Sequence, residues 1–444
     1  MKDKIFFIPI TSQGVEKESS SYILYSPFVH GCCLISSTEA HDIQKALNEE
    51  PSTVVANRFP MYASLLNFDK GLAEKAVIRS PHNYTKLSIL PTLNCNFKCS
   101  YCYSAGGRDK TIIDFHTLDI ALSDFFKNAD NKSARTIFFS GGGEPLTAWA
   151  QIEYAVLKAE TLAKNNKIKL KIIIITNGYL LNENIIHFCK EHNLSVCVSF
   201  EITEYAQNLS RGHWKRVSNN IRKCISAQLL PSLNATITPH NVHCMDDMLE
   251  HLLQNFPEIK HVTMEPVTPN GGFASVEEMH MFYDMYMDSF SSVRRRASAL
   301  GVNIGSTILD NLKRVAVRHC QGKLCLTPSA SYTICHCASS PKENRYKKCC
   351  YGEIMGNESI FDYDRFAELQ NINMLHRKKC CNCYAKWNCA GGCMSKFDVF
   401  PQEQQDEYCR YYREHLKRLL LEEIARLYEQ QYGKKIDEIL SHSV

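Results

Sequence analysis

The residues of this chain best suited to chemistry are its 21 cysteines, and they are clustered. Three form a tight run, Cys95-x3-Cys99-x2-Cys102. Three thiolates at that spacing suit a cubane iron–sulfur cluster, which usually takes four cysteine ligands, so one iron stays open to a small molecule. A closed structural zinc site would want a fourth protein ligand. A second run reads Cys380-x2-Cys383-x5-Cys389-x3-Cys393, followed after fifteen residues by Cys409. Paired Cys-x2-Cys motifs of this kind also bind zinc. Ahead of that run lie Cys320, Cys325, Cys335 and Cys337. A chain of 444 residues can bury a large core without disulfide staples. In a reducing compartment, clustered cysteines more often bind metal or do redox work.

These loops need a scaffold, and the middle of the chain alternates. Strands are expected at Lys86–Leu93, Thr136–Phe139, Lys171–Ile175, Ser195–Phe200, Ser232–Ile237 and His261–Glu265. Helices are expected at Asp114–Ala129, Ile152–Ala163, Asn182–His192, Trp214–Ala227, Asp246–Phe256 and Val276–Leu300. Six strand–helix units in series argue for a parallel sheet covered on both faces. Periodicity alone fits either a six-stranded partial barrel or an open doubly wound sheet. The first cysteine run follows a strand directly, at the end where parallel α/β folds build active sites.

The flanks differ from this scaffold. Strand-like runs at Lys4–Ile10 and Ser21–Tyr25, then a helix-like Thr38–Asn48 and an apolar segment to about Leu72, predict a small α+β module. At the other end Glu407–Gln431 has helical spacing of apolar residues. The net charge of +4 is too small to argue for nucleic acid. The longest wholly apolar runs, such as Ile172–Ile175, are far shorter than the roughly 18 residues of a membrane span. No signal-peptide pattern opens the chain, so the expectation is a cytoplasmic protein that engages neither nucleic acid nor membrane.

Cys95, Cys99 and Cys102, with Tyr101 before the last, resemble the signature loop of the radical S-adenosylmethionine (SAM) enzymes. Further resemblances follow at successive strand ends. Gly142-Gly143-Glu144-Pro145 matches a motif that binds the SAM amino group in that family. Thr176-Asn177-Gly178 ends the third strand. Ser199 and Glu201 end the fourth, where the family usually has Ser-x-Asp. Arg211 resembles an arginine that meets the SAM carboxylate or ribose, and Ile237 stands where a side chain packs on adenine. The resemblance implies a (β/α)6 partial TIM-type barrel. It also implies that a reduced cluster splits SAM to a 5′-deoxyadenosyl radical, which abstracts hydrogen, with a flavodoxin- or ferredoxin-like electron donor.

The second cysteine run, with Ala390-Gly391-Gly392 inside it, resembles the SPASM extension of peptide-modifying members. That resemblance assigns Cys380, Cys383, Cys389 and Cys409 to one auxiliary [4Fe-4S] cluster. Cys393 then joins another with Cys320, Cys325 and either Cys337 or Cys335, Cys337 being preferred. The family has a glycine shortly before that cysteine, where this chain has Ala330. Cys349, Cys350 and Cys381 have no slot. Three clusters are thus implied. The domain reading is a 1–84 module, a 85–310 radical SAM core, a 311–413 SPASM region and a 414–444 C-terminal helix.

The resemblance implies a peptide substrate, with crosslinking of a ribosomal precursor (carbon–carbon or thioether) favoured over formylglycine formation in sulfatases. Residues 1–84 favour it, because such maturases often bind a leader as an added strand. Glu265, ending the sixth strand, is the candidate catalytic group. An iron–sulfur carrier or a zinc-binding interaction protein is the alternative of another class.

Overall fold

Apolar β-branched runs alternating with amphipathic helices produce, in the computed structural model, one large parallel-rich sheet. The structure describes residues 4–10, 21–67, 78–127, 134–268, 272–320, 322–394 and 400–433. A separate antiparallel sheet opens the chain, with β1 (Phe6–Ile10), β2 (Ser21–Ser26) and β3 (Gly31–Ser36) in that order. Tyr25 pairs with both Phe6 and Cys32 across it. Helix Ser37–Glu49 follows, closed by a capping box in which Ser36 and Glu39 exchange hydrogen bonds. The apolar segment expected to Leu72 runs past residue 67 and so ends outside the described residues.

Seven strands then lie side by side in chain order: β4 (Lys86–Ile89), β5 (Arg135–Phe139), β6 (Leu170–Thr176), β7 (Ser195–Ser199), β8 (Ser232–Ile237), β9 (His261–Pro266) and β10 (Asn303–Gly305). Every neighbouring pair is parallel. β10 does not return to β4, so the ring stays open as a partial TIM-type barrel. The expected helices are present, including Trp149–Asn165, Glu183–Glu191 and Val276–Ala299. Asn182 caps the second of these by accepting from the Ile185 N–H. In β5 buried residues alternate with half-buried ones, and β6 keeps the same rhythm from Ile172 onward. The half-buried face includes Ile175, which lines the cavity inside the barrel.

The free edge of β4 takes β11 (Leu324–Leu326), in parallel register Leu324↔Leu87. The antiparallel strands β12 (Ser331–Thr333), β13 (Cys350–Met355) and β14 (Glu358–Phe361) extend the sheet further. The C-terminal cysteine region is therefore joined to the barrel by backbone hydrogen bonds rather than hung from a linker. The boundary expected at 413/414 is corrected, because one unbroken helix, Gln402–Tyr432, runs through it. Residues 434–444 of the expected C-terminal helix lie outside the described residues. Among the described residues no helix is long and apolar enough to cross a membrane.

The N-terminal sheet docks on this C-terminal region. Phe28 meets Trp387 edge-on at 4.8 Å between ring centroids. The Tyr25 hydroxyl donates to Asn388 Oδ1 at 2.8 Å. Asn388, wholly buried, in turn donates to the carbonyls of Asn311 and Arg314. Asn388→Ala leaves those groups buried without partners and is expected to cost about 2 kcal/mol in denaturant unfolding.

His415, on the long helix, is fully buried beside Tyr286, Phe290 and Tyr411. Burial, then Arg418 and Arg294, hold its pKa down to about 3. It therefore folds neutral, whereas an unfolded chain binds the proton near about 6.5. Its contribution is complete above about 6.5 and is lost as pH falls toward about 3. His415→Phe is expected to remove up to about 1.4 kcal/mol per pH unit from the acid-side slope, measured by unfolding between about pH 7 and about pH 5.5.

Candidate functional site

The first cysteine run hangs from the C-terminal end of β4 and is fastened on both sides. The Leu93 N–H donates to the Thr111 carbonyl at 2.9 Å. The Gly143 and Glu144 N–H groups donate to the Thr92 and Asn94 carbonyls, each at 2.8 Å. A Cβ on Gly143 would stand 1.9 Å from Asn94 O, and one on Gly142 would stand 2.8 Å from Thr92 O. The glycine pair thus serves close approach of two backbones, the cysteine loop and the β5 loop.

Each thiol has a donor nearby. The Phe97 N–H lies 3.5 Å from Cys95 Sγ, Arg211 Nη1 lies 3.7 Å from Cys99 Sγ, and Arg108 Nη2 lies 3.0 Å from Cys102 Sγ. Burial raises the pKa of Cys95 and Cys99, and Arg108 and Arg211 respectively oppose it. Bound iron would replace the proton outright, and guanidinium groups suit the negative cluster that results. Three thiols on one loop, facing a cavity and supplied with donors, fit a cluster with an open iron.

The cavity holds about 800 Å³ and is lined by Tyr101, Gly142, Gly143, Glu144, Asn177, Ser199 and Arg211, together with the three cysteines. That volume suits a cofactor with part of a substrate. Glu144 is buried and accepts from Leu146 N, Thr176 Oγ1 and Asn177 N at 3.1, 2.5 and 2.8 Å. Burial raises its pKa, and those three bonds oppose the rise. Its carboxylate holds the Thr176–Asn177 turn and keeps spare acceptor capacity.

Glu201, wholly buried, is committed to protein partners. Arg211 Nε lies 2.8 Å from each of its oxygens, and the Tyr101 hydroxyl donates to it as well. Burial alone would lower the Arg211 pKa, but Glu201, then Tyr101 and Cys99, raise it. Arg211 therefore stays charged, and its Nε belongs to Glu201 rather than to a ligand. Ile237 is corrected as a contact surface: it is wholly buried in the core, and Thr236 beside it lines the cavity. Successive strand residues face opposite sides, so a shift of one residue changes the face. Glu265 also lines the cavity and accepts from the Thr307 N–H at 2.8 Å.

The same cavity is lined by Cys320, Cys335, Cys337 and Cys393. Cys325 sits behind them on β11, wholly buried. Burial raises its pKa most, and Cys335 and Cys320 add to the rise. Cys337 is influenced by Cys335 and Cys393. The thiols of Cys335 and Cys337 and the His336 ring lie within 4.8 Å of one another. Ala330 adopts φ +58°, the left-handed conformation glycine takes most readily, where the glycine of the pattern is missing. Cys380, Cys383, Cys389 and Cys409 gather away from the cavity. Burial and then the other three thiols raise the Cys389 pKa.

Sequence reading missed Arg108, Thr236 and the Lys323–His336 contact at 3.2 Å. Arg108 stands six residues after Cys102, and only the folded loop brings it back.

Residues 89–253 match the family model described as the Radical SAM superfamily. The radical SAM cyclopropyl synthase TigE of Paramaledivibacter caminithermalis is 20% identical over 338 residues, spanning 70% of this chain and 68% of that protein. The structure resembles anSMEcpe with bound AdoMet, with a TM-score of 0.60 at 14% identity over 76% of this chain and 98% of that one. It also resembles SuiB of Streptococcus suis bound to precursor peptide SuiA, with a TM-score of 0.52 at 12% identity over 91% and 97%. With the cysteine loop, the strand-end motifs and the partial barrel in place, residues 89–253 form a radical SAM domain.

Proposed function

We propose that this enzyme modifies a ribosomally made precursor peptide, installing a crosslink after abstracting a hydrogen atom. The observation that carries the reading is one cavity lined by two cysteine sets: Cys95, Cys99 and Cys102, and Cys320, Cys335, Cys337 and Cys393. The first set would hold a [4Fe-4S] cluster, which with SAM supplies hydrogen-atom abstraction. The second, with Cys325, would hold an auxiliary cluster, whose chemistry there is one-electron acceptance. Crosslink formation needs both, because joining two residues removes two hydrogens in all. Cys380, Cys383, Cys389 and Cys409 would hold a third cluster. The peptide in the SuiB structure and the peptide activity implied by the SPASM-like spacing support the substrate class.

The chain's own residues bind, orient and shield. Glu144 fixes the Thr176–Asn177 turn, so Asn177 presents a set face to the cavity. Glu201 keeps Arg211 charged beside Cys99. Glu265, which lines the cavity and accepts from the Thr307 N–H, would take a proton from the substrate. The N-terminal sheet, seated on the C-terminal region, is the leader-binding module in this reading.

The test is anaerobic incubation of the reconstituted enzyme with SAM, reductant and the precursor peptide encoded beside it. A product lighter by two hydrogens, unreactive to aldehyde reagents and joined between two residues in fragmentation spectra, supports crosslinking. An aldehyde-reactive product supports formylglycine formation instead. Unchanged peptide with abundant 5′-deoxyadenosine overturns the substrate class.

A further inference from the structure

We infer that the loop joining β12 to β13 is a strap by which the C-terminal region holds the Cys95–Cys102 loop in place, with Arg345 as its positioning residue; this rests on the reading of Cys95, Cys99 and Cys102 as ligands of the cluster that meets SAM. The strap starts and ends together, because the Ile334 N–H donates to the Cys349 carbonyl at 3.0 Å. A loop whose ends meet and whose side chains pack on one another keeps a shape of its own. Glu343 braces it from within. Its side chain is 6% exposed, and its carboxylate accepts from Ser339 N, Ser339 Oγ and Ser340 N at 2.8, 3.2 and 3.3 Å. Ala338, Ser339 and Ser340 are buried.

The strap meets the half of the cysteine loop that follows Cys102. Arg345 donates from Nη2 to the Tyr103 carbonyl. The Tyr103 ring meets the His336 ring edge-on, with 6.0 Å between centroids. Lys342 Nζ lies 3.0 Å from Asp109 Oδ2. At Gly107 the approach leaves no room for a side chain: a Cβ there would stand 2.7 Å from Ser340 Cβ and 3.0 Å from Glu343 Cγ. The strap also reaches the β5 loop. A Cβ on Gly141 would stand 3.2 Å from the His336 carbonyl oxygen, and one on Gly142 would stand 3.7 Å from Ser339 Cβ. One strap therefore touches both segments that frame the cavity beside the three thiols.

These contacts differ in weight. The Lys342–Asp109 pair is open to water, and such pairs contribute little. The Arg345 side chain is only 18% exposed, and a charged donor makes a hydrogen bond roughly twice as strong as a neutral one. The carbonyl it holds belongs to the residue after Cys102, so a shift there passes directly to the third thiol. The Leu93, Gly143 and Glu144 bonds fix the segment before Cys95. Arg345 and the Gly107 contact fix the segment after Cys102. Misplacement by about 1 Å can cost a reacting geometry about a hundredfold, so both ends of the loop need a hold.

The test uses full-length reconstituted enzyme, reduced with dithionite and titrated with SAM. The readout is the change in the electron paramagnetic resonance signal as SAM binds, with iron content measured alongside. Arg345→Ala is expected to weaken SAM binding about tenfold with iron unchanged. Arg345→Lys, which keeps a charged donor, should recover part of that loss. Gly107→Ala pushes the strap away from the other side of the same contact and should weaken SAM binding similarly. Because both substitutions release one contact, the double variant Arg345→Ala with Gly107→Ala should lose less than the product of the two single losses. Unchanged SAM affinity in Arg345→Ala overturns the strap. So do fully multiplicative losses in the double variant, which make the two positions independent. A fall in iron with Arg345→Ala makes that residue a structural support of the cysteine sets and overturns its positioning role. Wild-type protein whose reduced signal does not respond to SAM overturns the reading of the cysteine loop itself.

Discussion

Alanine at Cys95, Cys99 and Cys102 together is expected to remove about four of about twelve irons from reconstituted protein and to abolish formation of 5′-deoxyadenosine. The three thiols share one loop and line one cavity. Loss is expected to be complete, since the triple variant leaves the loop no thiolate to hold a cluster. The protein should still fold, because the loop is pinned by Leu93–Thr111 and by Gly143 and Glu144 rather than by the thiols. Iron and sulfide analysis with far-ultraviolet circular dichroism checks all three points. Iron unchanged in the variant would place the cluster elsewhere.

The second large effect separates Cys335 from Cys337. Cys335→Ala is expected to change the electron paramagnetic resonance signal of the auxiliary cluster and to lower iron by up to about four, and Cys337→Ala to do neither. The argument is one of neighbours. After burial, the shift at Cys325 comes from Lys323 and from Cys335 and Cys320, so these three thiols share one pocket of charge. Cys337 also borders the set, through Cys335 and Cys393, but Cys335 is the one that borders both Cys325 and Cys337. Ala330 takes the left-handed turn that begins the approach of β12 to Cys335, doing the work of the glycine in the related pattern. We therefore propose Cys335 ahead of Cys337, the ligand the resemblance prefers. Iron analysis with electron paramagnetic resonance of the dithionite-reduced variants reads the difference. Loss from Cys337→Ala with retention in Cys335→Ala would restore the other ligand set.

The barrel was legible because its signals are local. Asn182 caps its helix from three residues away, and Ser232–Ile237 is a strand in pattern and in structure. Some of the strands that escaped detection are short, though β3 and β13 have six residues each. β10 and β11 have three residues each, too few to show a period, and they exist because β9 and β4 offer free edges. The helix Glu204–Ser210 is likewise only two turns long.

The site divides along the same line. Sequence by itself determined the chemistry: the Cys95–Cys102 spacing, the Gly142–Glu144 turn and the C-terminal cysteine run. Those depend on residue type at fixed spacing, and a single chain carries both. Tertiary structure decided who meets whom. Glu201 and Arg211 pair across ten residues, Tyr101 reaches Glu201 across a hundred, and Cys325 enters the barrel's own sheet beside Ser88. It also decided that Thr236 rather than Ile237 faces the cavity, since which face of β8 points inward is set by neighbouring strands. Such choices are made by packing between distant segments, and no local pattern records them.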